Sequence, residues 1–428
     1  MINLYYDNII EDVPAPNGAK EITLTDDARR VPHVANYRPE SPIAKFNTFY
    51  FVMKAQKTVV KLHTGKPKFA KNLFYPIEIN HSIYGWNRDW TNLLSARAKA
   101  LIVKNKMRLL ILAPRITGTR YFIRKLKIRI DELVESGIPR KNIHLVLGEL
   151  NDVYRNMLDL KTVYGFDWWQ VYSQLIFKVK TGQSSLHWLS HSDLELFNEP
   201  IPEFDIDNWN PKKVYNLVPS DGRDHDIALL LELIDKNAIN DGYYTFDKSK
   251  YDLKRDLKIV YIDPRQSHFE KDNKTRIMKR IEEYDNKDDV NLNDTIFSIL
   301  CENHEISAGT DYKQEIRSLA TSYEIWKYIY IGHPFAVLGC ADIIAYLNNQ
   351  GYFTFNQMIS QKYDSIYYPA KRSKEIVNNI SYIKSLPEEQ IKERIENIKP
   401  FLKKNREKFL NRRMQGKFLE LFVDMMYE

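Results

Sequence analysis

Apolar residues in this chain form two kinds of segment, short continuous runs and helical stripes, and the two alternate. Arg108–Ala113 (RLLILA) is a continuous run stopped by Pro114, the pattern of a strand buried on both faces. Thr119–Glu135 then has apolar residues at helical spacing beside a basic face of Arg120, Arg124 and Lys127, and Ser136-Gly137-Ile138-Pro139 ends it. Ile143–Leu147 (IHLVL) is the next buried run. Strand, helix and strand at this spacing make a βαβ unit and predict a parallel sheet. Further along, Val214–Val218 reads as a strand, Ile227–Asn237 as a helix and Asn293–Cys301 (NDTIFSILC) as a second buried strand. Thr321–Gly339 (TSYEIWKYIYIGHPFAVLG) predicts a helix with Ile325, Tyr328, Ile329 and Ile331 on one face. Gly332 is its C-cap, Pro334 blocks its continuation, and Phe335–Leu338 follows as a strand. Glu324 stands in the first turn of that helix, where the dipole favours an acid.

The remaining segments are less regular. Residues 1–45 carry five prolines and predict an irregular arm with one strand near Ile2–Tyr5. Phe46–Val60 reads as strand, turn, strand, and Thr91–Lys99 as a helix. A loop, Gly148-Glu149-Leu150-Asn151, precedes a second helix. Ala341–Asn348 predicts a helix, Gly351–Phe355 a short strand, and the chain from Pro387 onward helix interrupted at Pro400. Residues 198–211 (NEPIPEFDIDNWNP) are acidic, proline-punctuated and without period, and mark a domain boundary. Asp205-Ile206-Asp207 lies in that linker rather than at the end of a buried strand, so it is not assigned to a metal. The expected division is 1–209, 210–385 and a helical tail, 386–428.

Length and charge add to this. A chain of 428 residues exceeds what one core usually supports, so two domains are expected. Two cysteines, Cys301 and Cys340, exclude a disulfide scaffold and fit a reducing compartment. The first residues do not read as a signal peptide and no apolar run has the length of a membrane span. A cytoplasmic protein without a membrane partner is expected. The net charge of +7 is lopsided: residues 1–150 hold 25 Lys/Arg against 13 Asp/Glu, which leaves the rest acidic. No acid lies between Glu40 and Glu78 or between Asp89 and Asp131. Such one-sided stretches make a positive field that draws polyanions, and Lys66, Lys68, Lys71, Arg120 and Arg124 are the candidate contacts.

Several of these motifs together resemble the GT-B-type glycosyltransferases of the fucosyltransferase-like and bacteriophage branch. There a Ser-Glu-Lys triplet opens a helix that ends in Gly-(His/Arg)-Pro-Phe, a strand and Gly, as at Glu324, Gly332-His333-Pro334-Phe335 and Gly339 here. Tyr323 and Ile325 stand in place of the Ser and Lys, so Glu324 alone carries over. Ile138-Pro139-Arg140-Lys141-Asn142-Ile143 and Gly148-Glu149-Leu150-Asn151 match a second motif of phage-type members. Asn216, Arg223, His225 and the helix IALLLELI resemble the family's phosphate loop, although Leu217, Val218 and Asp226 stand where it often has arginines. Gly351-Tyr352-Phe353-Thr354-Phe355 and Tyr363-Asp364-Ser365 resemble the steps that follow.

The resemblance implies a GT-B-like α/β fold, with two Rossmann-like domains, parallel sheets, a cleft between them, and C-terminal helices (386–428) that pack back on the first domain or make an oligomer contact. It implies transfer of a sugar from a nucleotide-diphosphate sugar, a UDP-sugar first among them, to a hydroxyl, with no further cofactor. Arg223 and His225 would hold the diphosphate, Glu324 the ribose, and Glu302 and Asn216 would join the donor site. The base is expected from the first domain. Asp89, set between aromatic residues that would raise its pKa, is the first candidate, ahead of His81 and Glu149. The resemblance to phage-type members, among which glucosyl- and arabinosyltransferases modify such bases, implies a hydroxymethylated base such as 5-hydroxymethylcytosine in DNA as the acceptor, and the basic first half fits a DNA substrate. Two alternatives stand beside it: a glycosyltransferase acting on protein or lipopolysaccharide glycan, and a non-catalytic nucleic-acid-binding protein of the same fold.

Overall fold

The computed structural model describes residues 2–6, 60–64, 73–78, 89–113, 120–148, 158–165, 167–181, 199–219, 224–244, 279–281, 283–284, 291–302, 321–366 and 369–411. The chain is α/β and divides into two compact units, residues 1–199 with 314–318 and 413–428, and residues 200–313 with 319–412. Among the described residues no helix is long and apolar enough to cross a membrane.

The first unit holds a six-stranded sheet: β1 (Ile2–Tyr6), β2 (Val60–Thr64), β3 (Leu73–Glu78), β4 (Arg108–Ala113), β5 (Ile143–Leu147) and β6 (Val163–Gly165). Every pairing is parallel and the order is β2-β1-β3-β4-β5-β6. Helices α1 (Ala96–Val103), α2 (Arg120–Glu135) and α3 (Trp168–Lys180) belong to this unit. One sheet face supplies Leu109, Ile111, Ala113 and Leu145 to a core completed by Ile102 of α1, Leu126, Ile130 and Leu133 of α2, and Trp90. The Ile138–Ile143 motif has structural work here. Asn142 donates from Nδ2 to the Ile102 carbonyl at 2.8 Å, tying down the end of α1, and Arg140 reaches Asp131 and the Leu158 carbonyl.

The second unit holds β7 (Lys213–Val218), β8 (Gly242–Tyr244), β9 (Thr295–Cys301) and β10 (Phe335–Leu338), all parallel, in the order β10-β9-β7-β8. Its helices are α4 (Asp224–Asp235), α5 (Tyr323–Ile331), α6 (Ile343–Asn349), α7 (Pro369–Lys384) and α8 (Glu388–Asn411). β9 pairs on both sides and all seven of its residues are buried, as the apolar run required. Ser322 caps α5, and Gly332 ends it in the left-handed conformation at φ 84°.

Several expectations need correction. Thr91–Lys99 is not one helix: a 3₁₀ turn, Trp90–Leu93, precedes α1, because the Ser95 side chain caps a new start. Gly351–Phe355 is not a strand. The Asn405 side chain takes both backbone groups of Phe353, at 2.9 and 2.8 Å, and so occupies the valences a neighbouring strand would use. α8 passes through Pro400 without a break, since that residue lies on its exposed side while Ile395, Ile398, Leu402 and Phe409 are buried. This helix belongs to the second unit and packs on α5, where Phe409 stacks on Trp326 at 5.7 Å. The compact division falls at Glu199/Pro200, ahead of the expected 209/210, because Phe204 and Trp209 pack on His333 and Ile206 touches Gly332. Residues 46–59 of the expected Phe46–Val60 strand, turn and strand, and residues 303–320, lie outside the described residues.

Gly332→Ala is expected to destabilise the second unit by about 1–2 kcal/mol from the left-handed backbone alone. The new Cβ would also lie 3.0 Å from Ile206 Cδ1. Chemical denaturation measures the change, and an unchanged midpoint would reject this account of the turn.

Candidate functional site

In an open parallel sheet the two strands that flank a reversal of strand order leave a crevice at their carboxyl ends, the usual place for a ligand. In the second unit those strands are β7 and β9, since β8 lies to one side of β7 and β10 beyond β9. α4 begins just after β7 and carries His225 and Asp226, both buried, in its first turn. Glu302 directly follows β9, and α5 brings its N-terminus back to the same edge. The sheet therefore gathers acidic, imidazole and hydroxyl groups from three separate stretches of sequence.

Glu302 continues the β9 pairing, its N–H donating to the Leu338 carbonyl at 2.9 Å. Its side chain is 2 % exposed. Gly339 lies against it so closely that a Cβ there would fall 2.6 Å from Glu302 Cβ, which explains the glycine after β10. Ser322 Oγ donates to Glu302 Oε1 at 2.6 Å and accepts the N–H of Ile325 at 3.3 Å. Burial pushes the Glu302 pKa up to about 8, the Glu324 charge pushes the same way, and the Ser322 hydrogen bond and His225 oppose them. Cys301, next to it, is buried, and burial with the facing Asp226 carboxylate holds its thiol well above the usual pKa.

Glu324 is in a different environment. Its carboxylate is 30 % exposed and lies 3.2 Å from the ammonium of Lys327, itself buried and set over the Tyr323 ring. The sequence reading found Glu324 and Glu302 but missed Ser322 and Lys327. Glu324-x-x-Lys327 is a helical i,i+3 pair, a signal present in the sequence. Arg372 was missed too. It is buried and donates to the carbonyls of Gly339 and Ile366, bracing the turn behind Glu302.

Other candidates have other places. Asn216 lies in the middle of β7, within the run Val214–Val218 that reads as a strand, buried within 3.5 Å of Ser298 and Tyr328. There it joins a polar seam in which Ser298 and Thr295 hydrogen-bond the His333 ring. Asp364 accepts from the N–H groups of Ile344 and Ala345 at the start of α6. Asp205 uses its carboxylate on the N–H groups of Asp207 and Asn208, a local turn. Asp89 departs from expectation: it is exposed, caps the 3₁₀ turn by accepting from Thr91 N at 2.8 Å, and those bonds to Thr91 hold its pKa below the usual value. Aromatic neighbours do not raise it, because the side chain points to water and Trp90 is buried beneath. Arg124 is exposed on α2, and Arg120 opens that helix. His81, Glu149, Arg223, Lys66, Lys68 and Lys71 lie outside the described residues. Among the described residues no cluster of three or more His, Cys, Asp or Glu is arranged to hold a metal ion.

Comparison with protein-family models, with curated proteins and with solved structures finds no match to this chain.

Glu302 keeps its proton in the folded chain up to about pH 8, whereas an ordinary glutamate releases it near 4.5. Between those values the unfolded state holds fewer protons, so stability falls as pH rises through the window. Glu302→Gln, which does not ionise, is expected to flatten that fall. Denaturant midpoints from about pH 5 to about pH 8 measure it, and an equal slope in wild type and variant would reject the buried proton.

Proposed function

We propose that the chain is a nucleotide-sugar-dependent glycosyltransferase of the GT-B type, with the donor held by its second unit. The observation that carries this reading is the pair of carboxyls, Glu302 and Glu324, gathered with His225 at the order-reversal crevice of a parallel sheet. That crevice is where such sheets take nucleotides. The resemblance of the Glu324–Gly339 and Asn216–His225 stretches to the family's donor motifs agrees with it.

In this reading Glu324 accepts the hydroxyl protons of the ribose, and Lys327 keeps it ionised and oriented. His225, in the first turn of α4, and the helix N-terminus favour the departing diphosphate, a role the resemblance also gives to Arg223. No base is assigned from the first unit. The low pKa of Asp89 makes it a weak proton acceptor and removes the reason it led the candidates.

The acceptor we propose is DNA carrying a hydroxymethylated base. Its support is the excess of 25 Lys/Arg over 13 Asp/Glu in residues 1–150, against an acidic remainder. Phosphate tracking uses such an asymmetry, whereas a small acceptor gains nothing from it. On α2 part of that charge is balanced locally, since Lys127 pairs with Asp131 and Arg129 with Glu132, while Arg124 is exposed.

Glu324→Ala is expected to weaken UDP-glucose binding by about 1.5–3 kcal/mol, the cost of removing a charged hydrogen-bond partner. Isothermal titration measures it, and an unchanged affinity in a folded variant would reject the ribose role. For the acceptor, binding to duplex DNA is expected to fall steeply with salt. Neutralising Lys66, Lys68 and Lys71 is expected to lower that slope by about 0.9 for each phosphate that the variant leaves without a cation. Salt-insensitive or absent binding would favour a glycan acceptor.

A further inference from the structure

We infer that Glu302 meets its ligand as a neutral carboxylic acid, donating a hydrogen bond from Oε2 to an acceptor oxygen of the nucleotide-sugar, with Ser322 as the residue that fixes this polarity. The inference rests on the donor-site reading above but adds what that reading leaves open, the direction of each hydrogen bond.

The direction follows from one hydroxyl. Ser322 Oγ is the N-cap of α5 and accepts the N–H of Ile325, so its single proton is free to point away from the helix. It points to Glu302 Oε1, 2.6 Å away. Oε1 is therefore the acceptor, or carbonyl-like, oxygen of the group, and a proton on the carboxyl belongs on Oε2. That oxygen is buried and has no hydrogen-bond partner among the described residues. An ionised Oε2 in such a place would bear an uncompensated share of charge, whereas a protonated one keeps a single donor for a ligand.

The groups around it are consistent with the neutral form. From α5 come Ser322 and the Glu324 carboxylate, from α4 His225 and, against Cys301, Asp226, and from the turn after β10 the apolar Gly339. The Lys327 ammonium is drawn to Glu324. Burial and the Glu324 charge both raise the Glu302 pKa, which reaches about 8. Two carboxyls side by side are thus held in opposite states, one ionised and paired, the other protonated. Together they present one acceptor and one donor to the same ligand. A sugar ring with neighbouring hydroxyls matches that pair: one hydroxyl gives its proton to Glu324, and the lone pair of another oxygen takes the proton of Glu302.

The test has two parts, both on the full chain. Infrared difference spectra of wild type against Glu302→Gln are expected to show a protonated-carboxyl C=O stretch below about pH 7 that disappears as pH rises through the titration. In Ser322→Ala the same titration is expected to move upward, because the hydrogen bond that favours the charged form is gone. UDP-glucose affinity is expected to fall by up to about tenfold per pH unit above the titration point in wild type. Glu302→Gln, whose amide N–H replaces the acid proton, is expected to bind within about fivefold of wild type at neutral pH and to lose the pH dependence. Carboxylate bands alone from Glu302 at neutral pH overturn the inference, and so does a folded Glu302→Gln that binds more than about tenfold more weakly. If UDP-glucose binds neither protein, the donor reading fails in its UDP form, and the infrared titration still decides the state of Glu302.

Discussion

A strand paired on both sides and covered on both faces spends every backbone group and every side chain on its neighbours. β9 is such a strand, and the rest of the second unit is arranged by it. Its pairing with β7 on one side and β10 on the other sets the strand order, and the order sets the crevice. Its own polar residues, Thr295 and Ser298, are taken up by His333, and the residue that follows the strand is Glu302. Even there, the backbone stays in the ladder through Leu338, so the carboxyl has little freedom. The close approach of Gly339 and the Arg372 brace behind the turn leave less still.

Polar groups in this unit divide into those that hold the fold and those that have work left to do. His333 is buried among Phe204, Trp209 and Tyr328, with both ring nitrogens within hydrogen-bond reach of Ser298 or Thr295. Burial lowers its pKa to about 4, so it sits neutral at physiological pH and serves as a pin between β9 and the segment entering the unit. Asp364 and Asn405 bond backbone groups in the same way. Glu302 differs, because one of its oxygens is buried with no hydrogen-bond partner among the described residues. Native structures seldom keep such an atom without a use for it.

The two carboxyls illustrate how position decides chemistry. Glu324 is one turn into a helix with a lysine three residues on, so it remains a paired carboxylate. Glu302 is at a strand end, and the hydrogen bond its side chain accepts comes from a neutral hydroxyl rather than from a lysine or arginine. Identical side chains thus reach opposite protonation states within one crevice, and a site with one donor and one acceptor recognises more than two like charges would.

By itself the sequence determined the elements and the class. Continuous apolar runs marked β4, β5, β9 and β10 closely, since a strand buried on both faces tolerates little else. Gly332 and Pro334 marked the end of α5, because a left-handed residue and a missing N–H are local requirements. Glu302 and Glu324 stood out as acids, one just after a buried strand and one in the first turn of a helix. Tertiary structure decided what local pattern does not contain. Gly351–Phe355 has the composition of a strand, but a strand exists only where a neighbour pairs with it, and Asn405, 52 residues away, took that place. Asn216 stands in a run that reads as a strand, but only strand register shows that it turns into the core beside Ser298. Asp89 reads as an acid among rings, yet its exposure depends on which way the 3₁₀ turn faces. The bond from Ser322 to Glu302 joins residues 20 apart through the fold of a βαβ unit. Periodicity reports which residues are buried, whereas hydrogen-bond partners and proton positions depend on what the folded chain brings within about 3 Å.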